Sequence, residues 1–238
     1  MTRQRRRRII VARRRSTGIA LAGAISFLAG MTDATGLLLS GDFVSFMTGN
    51  TTRAALAIGS GDLSHAAVLI SAIAVFVLGN AGGIVLAHFA RRRVFAVLAA
   101  VGVLLALASV LSADNMAMPR FYLIVASMGA VNAAVEHIEG LPIGLTYVTG
   151  ALSRFGRGIG RWIIGDRKLD WTIQLVPWIG MLAGAVAGAF LTQAAGTRAL
   201  WVVSVFAILV AAAALFIPTR LQRRFNQMAL SRAPTATR

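Results

Sequence analysis

The stretch FMTGNTTR, residues 46–53, has a similar counterpart, YVTGALSR, at residues 147–154. Both follow the pattern aromatic-x-Thr-Gly-x-x-(Ser/Thr)-Arg at an offset of 101 residues. Upstream, GMTDA at residues 30–34 matches GAVNA at residues 129–133, which pairs Asp33 with Asn132. Downstream, Gly79 and Gly83 fall on Gly180 and Gly184 at the offset of 101. Three matches in the same order predict that the chain contains two copies of one unit.

The composition around these motifs is that of a membrane protein. Of 238 residues, 57% are hydrophobic and 13% are charged, and the mean hydropathy is +0.74. Apolar runs of about 20 residues recur, which is the length that spans a bilayer as a helix. Since a spanning segment must satisfy its own backbone hydrogen bonds, we expect an all-α membrane protein. The six predicted transmembrane helices cover about 18–39, 66–90, 94–113, 121–135, 171–193 and 199–217.

The basic residues predict how these helices are oriented. With the N-terminus in the cytoplasm, 21 of the 24 Lys and Arg side chains lie inside, and only Arg53, Arg120 and Arg198 lie outside. This bias follows the positive-inside rule and places both termini in the cytoplasm. Residues 1–16 and 218–238 are then basic cytoplasmic tails. Anionic lipids, rather than nucleic acid, are the partners expected for their arginines.

The remaining chain divides into two three-helix repeats, residues 17–113 and 114–217. Three spans are an odd number, so the second repeat enters the membrane from the opposite side. Inverted repeats are typical of secondary transporters, whose sites lie near the midplane at the repeat interface. Channels also have such repeats, so the architecture alone does not define the activity.

Asp33 is the most informative polar residue, because it lies well inside the first predicted helix. A carboxylate at the helix centre costs about 2.5–3.5 kcal/mol on insertion scales, so it is by default a functional candidate. One interpretation is a proton, cation or substrate site. The other is a structural Asp that bonds a neighbouring helix or caps a break between Gly30 and Gly36. Its counterpart Asn132 cannot titrate, so a proton site at Asp33 would make the two repeats unequal.

The end of the fourth helix carries a second polar group. Asn132 and Glu136 have i,i+4 spacing and share a helix face. Glu136, His137 and Glu139 either form a polar helix end at the membrane boundary or let Glu136 or His137 serve in proton entry. They match no strong metal site. We therefore expect no metal and no cofactor. No nucleophile–base constellation stands out either, so we do not expect an enzyme.

The two Thr-Gly segments are too short to span the membrane. They are predicted to be interfacial or re-entrant helices, with Asn50 or Thr51 as the N-cap of the first. In the second, Arg154, Arg157 and Arg161 fall on one face of an amphipathic helix. The segments either line a pathway as symmetric gates or only turn the chain at the membrane surface. The motif residues concerned are Thr48, Gly49, Asn50, Thr149 and Gly150.

Glycines at four-residue spacing predict close helix packing. They are Gly79 and Gly83 in the second predicted helix, and Gly180, Gly184 and Gly188 in the fifth. Because these helices are repeat mates, we expect them to meet near the pseudo-two-fold axis or at a homodimer contact.

The motifs also resemble a known family. GMTDATGLLLSGDFVSFMTGNTT, MGAVNAAVEH and TYVTGAL are similar to segments of the YoaK-like bacterial membrane proteins, a family of unknown function. The resemblance covers about residues 18–217 and implies six spans in a bacterial inner membrane. Where the family has Gln before Asn-Ala, this chain has Val131, so any role of that Gln is not carried over.

Together these features predict a small secondary transporter or permease for a small polar or anionic solute, coupled to protons if Asp33 titrates. The alternatives are an ion channel and a non-transporting membrane protein that acts in lipid interaction or assembly.

Overall fold

The computed structural model describes residues 3–111, 114–134, 137–138, 141–142, 148–167 and 169–217. Helices dominate it, as the sequence predicts, and a hairpin of two-residue strands follows the fifth helix. The helices are α1 (Arg3–Ser40), α2 (Met47–Gly59), α3 (Leu63–Phe89), α4 (Arg93–Val110), α5 (Ala117–Val131), α6 (Val148–Ile163), α7 (Leu175–Ala195) and α8 (Ala199–Leu215). The strands are β1 (His137–Ile138) and β2 (Leu141–Pro142).

Four helical stretches are long and apolar enough to cross a membrane. They are Ser16–Ser40, Leu63–Phe89, Arg93–Val110 and the 45-residue stretch Trp171–Leu215. The last contains both α7 and α8, which a 3₁₀ turn at Gly196–Arg198 separates. Helix α5 is apolar but shorter, with 15 residues. The protein is therefore an all-helical protein with about four candidate spans and one shorter apolar helix.

Several boundaries differ from those predicted. The candidate span Ser16–Ser40 agrees with the predicted span at about 18–39, but helix α1 itself begins at Arg3. Arginine is a good helix former, so the basic segment continues the helix. Helix α5 stops at Val131, where the chain enters a turn, instead of near residue 135. Helix α3 begins after Asp62, whose carboxylate accepts a hydrogen bond from the backbone N–H of His65. This hydrogen bond, and a second from Ser64, hold the pKa of the Asp62 carboxyl below its usual value.

Three helix pairs build the core: α1 with α7, α3 with α5, and α4 with α8. In the third pair, Ser204 Oγ donates a 2.7 Å hydrogen bond to the carbonyl oxygen of Gly102. Arg92, at the start of α4, donates to the carbonyl oxygen of Leu215, at the end of α8, over 2.8 Å. These contacts run in opposite directions along the two helices, so α4 and α8 are antiparallel.

Candidate functional site

Helices α1 and α7 approach each other through three glycines of α7. A side chain at Gly180, Gly184 or Gly188 would meet the backbone of Gly23, Phe27 or Met31, respectively, on α1. One turn beyond, Thr192 Oγ1 lies 3.0 Å from Thr35 Oγ1. The contacts advance by four residues on both helices, so α1 and α7 run parallel.

Helices α3 and α5 meet in the same way. A side chain at Gly79 would meet the carbonyl group of Ala126, and one at Gly83 would lie 3.0 Å from the carbonyl oxygen of Ala130. From the other side, Gly129 of α5 fits against Phe76 of α3. These contacts also advance together, so α3 and α5 run parallel. The glycines thus face the other half of the chain in each case, and they do not pack α3 against α7 as we expected.

The two pairs correspond at three glycine contacts. Phe27, Gly30 and Met31 of α1 occupy the positions of Ala126, Gly129 and Ala130 of α5, at the predicted offset of 99. Between α3 and α7, however, the contact offset is 105 rather than 101. Gly79 therefore corresponds in its contacts to Gly184, one helical turn beyond Gly180, and Gly83 corresponds to Gly188.

Polarity distinguishes the two pairs. The buried pair Thr35 and Thr192 corresponds at these offsets to the buried alanines Ala134 and Ala87. Ser26 is also fully buried on α1, and its Oγ has no hydrogen-bond partner among the described residues. The α1–α7 contact is thus the more polar of two otherwise matched contacts.

Asp33 lies on α1 next to this polar contact and binds the loop that follows the helix. The backbone N–H and the Oγ of Ser45 both donate to Asp33 Oδ1, over 3.1 and 2.8 Å. The side chain of Val44 is fully buried and fills the space over Gly36. Asp33 therefore binds the loop Gly41–Phe46 to α1. The partner is neither the neighbouring helix nor the helix break that we expected, because α1 runs without a break to Ser40.

The Thr-Gly motif follows that loop directly. Helix α2 begins after Phe46, which has no side-chain cap, so the expected N-cap at Asn50 or Thr51 was wrong. Asn50 lies within the helix instead and is fully buried, and its Nδ2 donates to the carbonyl oxygen of Phe43 over 2.7 Å. The rings of Phe43 and Phe46 occupy the space where Gly49 has no side chain. Thr48 is exposed.

An ion cluster closes the other side of the loop. Arg53 lies 3.0 Å from Asp42 and donates to the carbonyl oxygen of Gly41 over 2.7 Å. His65 Nε2 lies 3.5 Å from the same Asp42 carboxylate, which is buried. We name Asp33, Asp42, Ser45, Asn50, Arg53 and His65 the loop cluster. Sequence reasoning identified Asp33 and Asn50 and missed Asp42, Ser45 and His65, although Asp42 is one of only eight acidic residues.

The second Thr-Gly segment forms α6, which starts at the same offset of 101 from α2. Thr149 is exposed, and the nearest described side chain over Gly150 is that of Arg154. Arg154 Nε donates to Oε1 of the buried Gln174 over 2.8 Å. The final arginine of each motif therefore has a different kind of partner. Arg53 binds the loop before α2, and Arg154 binds the segment before α7.

Asn132 follows the last residue of α5, and its Nδ2 donates to the carbonyl oxygen of Met128 over 3.1 Å. Glu136 and Glu139 lie outside the described residues, and His137 belongs to β1. Asp33 and Asn50 thus both form hydrogen bonds with the same loop, Gly41–Phe46. Thr149 and Gly150 lie on α6, which contacts α7.

These features define a multi-pass, all-helical membrane protein with a polar loop cluster at the end of one span. Residues 21–213 match the family described as "Protein of unknown function (DUF1275)". The UPF0700 transmembrane protein RA0705 of Rhizobium meliloti (strain 1021) is 57% identical over 227 residues, which are 95% of this chain and 99% of that protein. The chain belongs to this DUF1275/UPF0700 family. No solved structure matches it.

Proposed function

We propose that the protein is a small secondary transporter, or permease, for a small polar or anionic solute. In this proposal six spans form two inverted three-helix repeats, and one repeat moves against the other to expose a site alternately to each side. The protein would act in a bacterial inner membrane with both termini in the cytoplasm. The YoaK-like proteins that the motifs resemble would be members of the same family. We propose no enzymatic activity.

The observation that carries the proposal is the matched pair of helix contacts. The contacts at Gly30, Gly184 and Gly188 between α1 and α7 recur at Gly129, Gly79 and Gly83 between α5 and α3, and both pairs are parallel. Two copies of one unit account for this match if a long helix of each copy packs against the other copy, as α1 does on α7 and α3 does on α5. Such an assembly has two related conformations available, because each half can adopt the arrangement of the other.

We further propose that Asp33 couples transport to protons. In the ionised state its carboxylate accepts two hydrogen bonds from Ser45 and holds the loop Gly41–Phe46 closed. Protonation removes the charge that makes these hydrogen bonds strong, so the loop is released. The polar α1–α7 contact beside Asp33, with Thr35 and Thr192, would then line the solute path.

The test is proton movement in proteoliposomes that contain a trapped pH-sensitive dye. A panel of small organic acids, amino acids and sugars is added one at a time, and the wild type should acidify or alkalinise the lumen with at least one of them. Asp33→Asn should abolish this proton movement while retaining solute exchange.

Ser45→Ala is the matched control, because it removes one hydrogen bond to Asp33 but leaves the titratable group. It should retain proton movement. If Asp33→Asn transports with the same pH dependence as the wild type, the coupling role is wrong. Ion currents far above carrier rates in a planar bilayer would show a channel instead.

A further inference from the structure

We propose that α6 is a binding surface for the headgroups of anionic phospholipids at one face of the membrane. The proposal does not depend on what the protein transports. It rests on two observations about this helix: part of its apolar face and two of its arginines are exposed.

The apolar face of α6 is wider than the protein surface that it contacts. Its inner edge is buried, with Ala151 fully covered and Gly158 lying against the ring of Trp171. The neighbouring stripe of Leu152, Ile159 and Ile163 is 38%, 39% and 69% exposed. These three residues follow helical spacing and lie on one side of the helix. Because α6 directly precedes the spanning stretch Trp171–Leu215, the bilayer is the apolar phase available to cover this stripe.

The opposite side of α6 carries exposed arginines. Arg157 and Arg161 are both exposed and have i,i+4 spacing, so their guanidinium groups lie on the same face. Arg157 donates to Ser153 Oγ, and no carboxylate of the described residues lies within ion-pair distance of either arginine. Just beyond the helix, the guanidinium of Arg167 stacks on the ring of Trp162 at 4.7 Å.

Helix α2, at the corresponding place in the first half, differs from α6 in the pairing of its arginine. Its single arginine, Arg53, is paired with Asp42. An amphipathic helix with an inserted apolar stripe and exposed arginines binds anionic lipids by burial and by charge together. The surplus charge of α6 is complementary to a layer of phosphate groups. We therefore expect lipid selectivity at α6 and not at α2.

The experiment measures which lipid touches α6. The full chain carries Trp178→Phe and Trp201→Phe, so that Trp162 and Trp171 are its two remaining tryptophans. Trp162 is in α6, and Trp171 packs against Gly158 of α6. It is reconstituted in phosphatidylcholine bilayers with a minor fraction of phosphatidylglycerol, and either lipid carries brominated chains that quench tryptophan on contact. Brominated phosphatidylglycerol should quench more strongly than its mole fraction predicts.

Replacing the arginines tests the cause of this preference. Each Arg near an anionic surface contributes about fivefold to association, so Arg157→Gln/Arg161→Gln should remove most of the preference. Arg157→Lys/Arg161→Lys keeps the charge and should retain it. Arg91→Gln/Arg198→Gln changes the net charge by the same amount at other exposed sites and should also retain it.

Two results would overturn the proposal. One is equal quenching by the two brominated lipids in the parent chain. The other is a preference for phosphatidylglycerol that survives in the double Gln variant. Circular dichroism and size-exclusion profiles establish that each variant is folded before quenching is compared. A failure of the transport test would leave these outcomes unchanged.

Discussion

At the scale of single residues, the Thr-Gly motif of α2 contacts the preceding loop, Gly41–Phe46, through several side chains. Gly49 leaves space for two aromatic rings, Asn50 reaches back to the loop backbone, and Arg53 neutralises a buried Asp42. The corresponding residues of α6 have different partners. Similar sequences therefore have different partners within the described residues, since Arg53 pairs with Asp42 whereas Arg154 donates to Gln174.

Arg53→Gln should destabilise the protein, because the buried Asp42 carboxylate would lose the guanidinium group beside it and, among the described residues, retain His65 as its ion-pair partner. Leaving a buried charged group without its partner costs about 1–3 kcal/mol when the lost partner is itself partly exposed. Thermal unfolding in detergent would measure the change. Arg198→Gln, at an exposed arginine in a turn, should leave the midpoint unchanged. An equal shift for both variants would contradict the role of the Asp42–Arg53 pair.

Gly49→Ala should also destabilise the protein, since the new methyl group would overlap the rings of Phe43 and Phe46. Overpacking of this kind costs about 1–3 kcal/mol. Gly59→Ala, in the same helix but with open space around it, should be neutral or stabilising because alanine favours the helix. The two midpoints can be compared in one unfolding series, and a stable Gly49→Ala variant would show that the rings move aside freely.

At the scale of helices, close approach decides which pairs form. Glycine removes the side chain between two backbones, so α7 lies on α1 and α3 lies on α5 along a whole face. In a membrane this packing matters more than in water, because lipid chains are as apolar as the helix surface and hydrophobic burial between helices gives no preference.

Gly79→Ala and Gly184→Ala should each weaken one of the two matched helix pairs, because each adds a methyl group against a carbonyl of the partner helix. The expected loss is about 1–3 kcal/mol for either variant. Gly82→Ala provides the control in α3, since nothing lies within 4 Å of its missing side chain. Unfolding by denaturant in mixed micelles measures all three. If Gly82→Ala were as damaging as Gly79→Ala, helix propensity rather than packing would govern these positions.

At the scale of the whole molecule, the proposed inverted repeats make a prediction about sidedness. With six spans, the turns at Ser60 and Arg198 share one side of the membrane, and those at Arg91 and Arg167 share the other. All four residues are exposed, and the chain contains no cysteine, so single-cysteine variants can be labelled without background.

In a bacterial host, a membrane-impermeant maleimide should label Ser60→Cys and Arg198→Cys in intact spheroplasts. It should label Arg91→Cys and Arg167→Cys only after the membrane is permeabilised. This outcome follows from the excess of basic residues on the cytoplasmic side. Labelling of one member of either pair from the opposite side would exclude the six-span arrangement.

Composition and hydropathy determined that this chain is helical and crosses a membrane, because a bilayer admits few other solutions for a long apolar segment. The repeated motifs recur at the starts of α2 and α6 with the same offset of 101, but the N-cap expected at Asn50 or Thr51 misplaced the start of α2. Only the tertiary structure decided that the glycines join α1 to α7 and α3 to α5, and that the contact register is shifted by one turn. It likewise joined Asp33 to Ser45 and Arg53 to Asp42. Those outcomes depend on which helix faces lie opposite each other, and no single segment carries that information.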